Sequence, residues 1–277
     1  MCVKVHSGSN PFFSKCHIKM SRHEGLYFGT GAKGRVQDSR IYQCSEANLC
    51  IESKANPVIF RCRIYSGSSC GVRVTEKGMG ELVENQIYGN EKANIRVDDE
   101  AEPIFRKNQI YDGQAEGINV LDNGLGVFER NDIFNNASSG VVIVSGADPT
   151  LTGNSVHRNR EHGVYVTGGG CGHIQDNEIF QNVLACIFVD GADSNPMIVK
   201  NHISNGLGTG ITVCDEGEGT IADNDIFLNR LAGIEVRTDG NPTVKSNRCD
   251  DKASLPNESP KPSTLAYEVK PFTSWSS

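Results

Sequence analysis

Apolar residues recur at fixed places in a unit of 23 residues, and the unit repeats along almost the whole chain. Ile18, Ile41, Ile64, Ile87, Ile110, Ile133, Val156 and Ile179 set the register, which resumes after one inserted residue at Ile203, Ile226 and Cys249. A second apolar series precedes each of these by five residues, as in Phe13, Val36, Ile59 and Leu82. Two more follow eight and ten residues later, as in Val72 and Val74 or Ile118 and Val120. The residues between them are polar, so each segment alternates with period two, the strand period. No stretch carries an apolar stripe of helical length and spacing. A unit of three short strands cannot bury its own apolar face; stacking the units does so. The pattern therefore predicts an all-β, right-handed parallel β-helix of about eleven coils over residues 1–249, a rod about 50 Å long at one strand spacing per coil.

Polar residues are as regular as the apolar ones. Asn85, Asn108, Asn131, Asn154, Asn177, Asn201, Asn224 and Asn247 stand two residues before the register position, as a structural ladder. Asparagine tolerates left-handed backbone and bonds to neighbouring main chain, and stacked amides can bond up the rod. A small residue, usually glycine (Gly25, Gly71, Gly117, Gly140, Gly163, Gly210), precedes the last strand, where a positive φ is expected. Proline and glycine alternate in one loop, and all six prolines before the last 28 residues lie there. The visible breaks in the pattern are an insertion near Asn205–Gly208, Cys186 in a glycine position, and an acidic loop at 215–218.

Charge refines this picture. The net charge of −7 arises in one half: residues 1–140 hold 17 basic and 17 acidic side chains, residues 141–277 hold 10 and 17. That distribution argues against a nucleic-acid surface, which needs clustered Lys and Arg, and suits a basic protein partner. No apolar run approaches the ~20 residues of a membrane span. The ten cysteines form neither a disulfide framework nor a zinc-ligand spacing, so scattered thiols point to a reducing, intracellular setting, cytoplasmic or nuclear. Val3 and Val5 occupy last-strand positions, so the first coil is expected to be completed by a preceding segment or covered by a partner. Residues 250–277, rich in Pro and Ser, read as a tail or loose cap.

Catalytic chemistry is sparse. Glycoside hydrolysis needs two carboxylates flanking one bond; Asp223 with Asp225, and Asp176 with Glu178, have a suitable spacing, but each pair flanks a ladder asparagine and reads as a solvated face. Asp215, Glu216 and Glu218 form an acidic loop without a calcium-loop spacing. His162–Gly163 and Asp98–Asp99 resemble fragments of pectin-hydrolase motifs but lie nearly three coils apart without visible basic partners. The expectation is no catalytic residue, no metal and no cofactor. One ladder invites a binding role: Tyr42, Tyr65, Tyr88 and Tyr111 follow the register isoleucine directly, continued by Phe134, His157 and Phe180. Pointing outward these rings would form a strip for sugars or a peptide; tucked together they would be packing.

The motifs NQIYGN (85–90), NDIFNN (131–136) and NEIFQN (177–182), each leading to G-[IV]-x-V or a variant of it, resemble the repeats of CASH domains, and the alternating proline and glycine turns resemble the β-helical part of the F-box-only protein ten/eleven family. That resemblance covers residues 3–249 and implies a non-enzymatic domain that recruits a ubiquitination substrate to a cullin–RING ligase; F-box helices and a zinc-binding UBR-type module are not recognisable in the chain. The alternative expectation is a carbohydrate-binding or polysaccharide-cleaving β-helix.

Overall fold

The computed structural model describes residues 1–250, and the whole of this span is a parallel solenoid. Each coil contributes one strand to each of three sheets, and each sheet stacks eleven strands in strict parallel order. Sheet A runs from Val3–Val5 to Ile234–Val236, sheet B from Phe12–Ser14 to Thr243–Lys245, and sheet C from His17–Lys19 to Arg248–Asp250. No helix forms among the described residues. The tail expected over 250–277 lies, apart from Asp250, outside them.

Burial explains why three-residue strands suffice. The register isoleucines from Ile41 to Ile226, the sheet-B series and both apolar positions of sheet A point into one continuous core and are almost all fully buried. Like residues meet in register: Ile87 pairs with Ile110 and Ile64, and the rings of Phe105 and Phe128 stack inside the rod at 5.2 Å. Burying a side chain of this size contributes about 1.5–3 kcal/mol, so cohesion comes from stacking and not from any single coil.

The expected asparagine ladder is present and buried. Asn131 Nδ2 donates to Asn154 Oδ1 at 3.0 Å and to the Phe105 carbonyl at 2.9 Å, while its own Oδ1 accepts from the backbone and side-chain amides of Asn108. The left-handed backbone, however, falls on the residue before each ladder position, whether that is asparagine or, in the first three full coils, Cys16, Ser39 and Cys62: Lys15, Asp38, Arg61, Glu84 and Lys107 have φ between 48° and 56°. The charges on that outer corner alternate in sign, and Arg61 pairs with Glu84 at 2.9 Å, a surface contact of small energetic weight.

A second amide ladder runs through the corner between sheets C and A, and its continuity at glycine positions is not apparent from sequence periodicity. Asn90, Asn136, Asn159 and Asn182 share one position of the coil. Where that position is Gly113, the side chain of Asn94, four residues farther along the coil below, takes the space and bonds to Asn136 Oδ1 at 3.0 Å. A Cβ on Gly113 would stand 2.7 Å from Asn94 Nδ2. Asn48 fills the equivalent gap at Gly67. Cys186 plays this part at Gly206, with its thiol 3.8 Å from Asn229 Oδ1. Its presence is therefore a repair of the ladder, not an unexplained break. Asn136, one of two N-x-S/T triplets, belongs to this ladder and is wholly buried, so it offers no surface for glycosylation; Asn257, the other, lies outside the described residues.

Two further expectations are corrected. The glycines before sheet A do not have positive φ. They are small because the next coil is close: a Cβ on Gly117 would lie 2.6 Å from the Gly140 carbonyl oxygen, and one on Gly140 2.7 Å from that of Gly163. The inserted residue is also not near Asn205–Gly208. Val166 pairs with Val189 at an interval of 23 residues but His173 pairs with Met197 at 24, so the extra residue lies in the turn spanning 190–196.

None of the ten cysteines is in a disulfide. Burial pushes Cys62 up to about 11 and Cys186 to about 12, and since the thiolate is the nucleophile, both should resist alkylation in the folded protein. Iodoacetamide followed by peptide mass mapping should modify the exposed Cys2 and Cys249 first, and Cys62 and Cys186 only in denaturant; rapid native labelling of Cys186 would refute this packing.

Candidate functional site

The sequence-predicted aromatic strip lies on the outer face of sheet C. From Tyr42 to Phe180 the rings stand 4.7–5.2 Å apart and within 10° of parallel. Each inner ring thus has both faces covered by its neighbours, and only edges and hydroxyls reach solvent. This is packing, worth about 0.5–1.5 kcal/mol per contact beyond burial, and not an open platform for stacking a ligand on Tyr65, Tyr88 or Tyr111. Tyr42 ends the stack with Lys19 Nζ 5.9 Å from its centroid.

The predicted acidic residues stand elsewhere. Asp215 and Glu216 form the exposed left-handed turn after the sheet-A strand Ile211–Cys214, and Glu218 accepts a hydrogen bond from Asn195. Asp223 occupies the corner between sheets B and C. Asp225 lies on sheet C, engaged by His202 at 3.5 Å and Arg248 at 3.8 Å. The structure does not gather these five carboxylates into one site, and no group of three or more His, Cys, Asp or Glu with metal-holding geometry occurs among the described residues.

Chemistry concentrates instead on the outer face of sheet A. Between the two apolar positions of each strand a residue points outward there, giving Lys4, Tyr27, Cys50, Arg73, Arg96, Asn119, Val142, Tyr165, Phe188, Thr212 and Glu235 in coil order. In the fourth and fifth of the eleven coils, Arg73 and Arg96 converge on Asp98, which is only 1% exposed, with the Arg73 contact at 3.6 Å. Asp98 thus does have basic partners. Its second oxygen, Oδ1, is buried with no hydrogen-bond partner among the described residues. Beside it a hollow of ≈ 330 Å³ is lined by Arg73, Lys92, Glu46, Ser69 and Cys70 among others.

The larger feature lies four coils on. An open cleft of ≈ 480 Å³ is bordered by His162, Phe188, Thr212, Glu235 and Arg237, with Val183, Leu184, Leu207 and Leu231 along one wall. The His162 ring stacks on Phe188 at 4.6 Å and lies 5.4 Å from the ring of Tyr165. The Tyr165 hydroxyl donates to Asp190 Oδ2 at 3.1 Å. Asp190 reaches that position because the strand Ile187–Asp190 is one residue longer than its neighbours below, directly before the inserted turn. Burial holds the His162 imidazole below the ordinary histidine range and pushes the Tyr165 hydroxyl up. His162 Nδ1 is buried without a hydrogen-bond partner among the described residues. The arrangement joins the Phe188 ring, the Glu235 carboxylate and a neutral imidazole in one trough, with the Tyr165–Asp190 hydrogen bond beside it. A recognition site for a small amphipathic ligand has this make-up.

Because His162 is depressed in the folded state, its contribution to stability is complete above the ordinary histidine value of about 6.5 and is lost as pH falls below it toward the folded-state value. Thermal melts should show a drop in stability across that interval that is smaller in a His162→Gln variant; identical profiles for the two proteins would refute the buried neutral imidazole.

Comparison with known proteins agrees with the fold. The family model described as right handed beta helix region matches residues 2–156 and 116–249. No curated protein matches. Among solved structures, the periplasmic alginate epimerase AlgG superposes with a TM-score of 0.71 at 13% identity, covering 81% of this chain and 61% of that one. The A-module of the Azotobacter vinelandii mannuronan C-5 epimerase AlgE4 gives a TM-score of 0.61 at 16% identity, covering 87% of this chain and 86% of that one. The present chain thus spans less than two thirds of AlgG, and at these identities the likeness is one of fold.

These findings overturn the expected ubiquitin-ligase role. Neither the CASH-domain nor the F-box-only resemblance gains support, and the two solved structures compared above are named as epimerases of alginate and mannuronan. The physical reason is in the motif itself. N-x-I-[FY]-x-N followed by a glycine encodes the two amide ladders, the register isoleucine, the sheet-C ring stack and the tight approach of adjacent coils. It specifies a coil and carries no information about a partner.

Proposed function

The chain belongs to the right-handed β-helix family, and from that premise we propose that it is a carbohydrate-binding protein that lays a polysaccharide along the outer face of sheet A. The observation that carries this reading is the cleft in which Phe188 and His162 meet Glu235 and Arg237, with the Tyr165–Asp190 hydrogen bond beside it. A sugar ring presents apolar C–H faces and a polar rim, and such a cleft matches both. Successive coils offer one outward side chain every ~4.8 Å, and an extended pyranose chain advances by a similar distance per residue. A glycan parallel to the rod axis would therefore meet Arg96, Asn119, Tyr165 and Phe188 in turn. The polysaccharide substrates in the names of AlgG and AlgE4 are in keeping with this orientation. Within the cleft, His162 is the group fitted to carry a proton, since it is neutral at neutral pH with Nδ1 unengaged.

Affinity electrophoresis through gels containing alginate, polygalacturonate or neutral glucans tests the reading. Retardation by at least one polysaccharide, relieved by its soluble oligosaccharides, is the expected result. Unretarded migration in every gel, with no binder on a broad glycan array, would sink it.

A further inference from the structure

One wall of the cleft is out of keeping with the rest of the rod. Four residues after the register position, the coils below carry Arg22, Ser45, Ser68, Glu91, Gln114 and Arg160, with Ala137 the one apolar exception, but the cleft has Val183 and Leu207. Five residues after it they carry His23, Glu46, Ser69, Lys92, Ser138 and Glu161, with Ala115 the one apolar exception, but the cleft has Leu184 and Leu231. The repeat is its own control: the same turn is polar at twelve of fourteen positions in seven coils, whereas in the three that border the cleft four of six positions are aliphatic, the other two being Gly208 and Arg230. These four side chains are 43%, 53%, 44% and 65% exposed respectively, so they do not serve the core. Leaving them in water is unfavourable by about 25 cal/mol per Å² of apolar area, and they line a trough whose other wall is polar.

We infer that the cleft is built for a sugar that carries a small acyl substituent, an acetyl ester or amide, with its methyl group against Leu184, Leu207 and Leu231 and its ring over Phe188. The inference rests on the carbohydrate reading and sharpens it to a substrate class. With its apolar C–H face over Phe188, an unsubstituted sugar has no further apolar group to cover this ledge. Four aliphatic side chains are also far short of the ~1,200–2,000 Å² that a stable protein partner buries, whereas ≈ 480 Å³ suits a ligand of one or two sugar rings.

Calorimetric titration with a matched pair of oligogalacturonides, one O-acetylated and one the same material after mild alkaline deacetylation, tests it. The acetylated probe should bind about fourfold more tightly for each methyl group covered. The Leu184→Ser/Leu231→Ser double variant uses the residue that other coils already carry at this position (Ser69, Ser138), so its melting temperature should be unchanged. It should lose the acetyl preference while retaining the affinity for the deacetylated probe. Equal affinity of the wild type for both probes overturns the acyl assignment and leaves the carbohydrate reading standing. Binding of neither probe, with an empty glycan array, removes both. A concentration-dependent dimer abolished by the double variant would assign the ledge to a second copy of the chain and overturn the proposal.

Discussion

Asn131→Leu should cost the rod about 2–6 kcal/mol, because it leaves two buried donors without acceptors at about 1–3 kcal/mol each. The backbone N–H of Asn108 and one side-chain N–H of Asn108 both point to Asn131 Oδ1 at 3.0 Å, in a corner from which solvent is excluded. Leucine has nearly the same volume, so the loss is one of polar satisfaction and not of packing. Against a total stability of about 5–15 kcal/mol it is among the most damaging single changes available. Asn247→Leu provides the contrast. It sits at the half-exposed end of the same ladder, where water can replace the lost acceptor, and should cost under about 1 kcal/mol. Urea denaturation followed by circular dichroism measures both; equal losses for the two variants would mean that the ladder does not derive its weight from burial.

Phe188→Ala should weaken glycan binding by about 30-fold, the equivalent of about 2 kcal/mol for a central aromatic anchor, with little change in melting temperature. Phe188 projects outward between the inward-facing Ile187 and Val189, so the core does not depend on it. Its removal would take away the surface on which His162 stacks and on which a sugar face would lie. Tyr88→Ala on sheet C should leave affinity unchanged, since both faces of that ring are already covered by Tyr65 and Tyr111. Retention on an affinity gel reads both variants. Loss of binding in Tyr88→Ala with retention in Phe188→Ala would move the site to the ring ladder.

The rod was legible in the sequence because every inward position obeys one rule. Ile87, Leu82 and Val97 face the same kind of neighbour in every coil, and a period of 23 residues exposes them at once. The ladder from Asn85 to Asn247 was legible for the same reason. The second ladder was only partly so: Asn90, Asn136, Asn159, Asn182 and Asn229 are in phase, but Asn94 and Cys186 fill gaps left by Gly113 and Gly206 from a different place in the coil. Periodicity detects residues in phase, and these are out of phase.

The cleft eluded the same method. Outward positions need not repeat, and Tyr165, Phe188 and Glu235 form no series. Two signals were nevertheless present. Aromatic residues occupy the middle of two successive sheet-A strands, and an inserted residue follows them; its place in the turn at 190–196 emerged only from strand pairing. His162 and Asp98 stand out in the sequence as isolated motif fragments. What the sequence hid was their surroundings: Asp98 lies under Arg73 and Arg96, residues 25 and 2 positions earlier, and His162 lies against Phe188 in the next coil.

The most direct test of the account is a crystal structure of the full chain soaked with a uronic-acid oligosaccharide that is retained in affinity gels. The account predicts density for a sugar ring over Phe188, within reach of His162, Glu235 and Arg237, and a chain direction parallel to the rod axis along sheet A. Ordered sugar on the ring edges of sheet C, with the sheet-A cleft unoccupied, would contradict it.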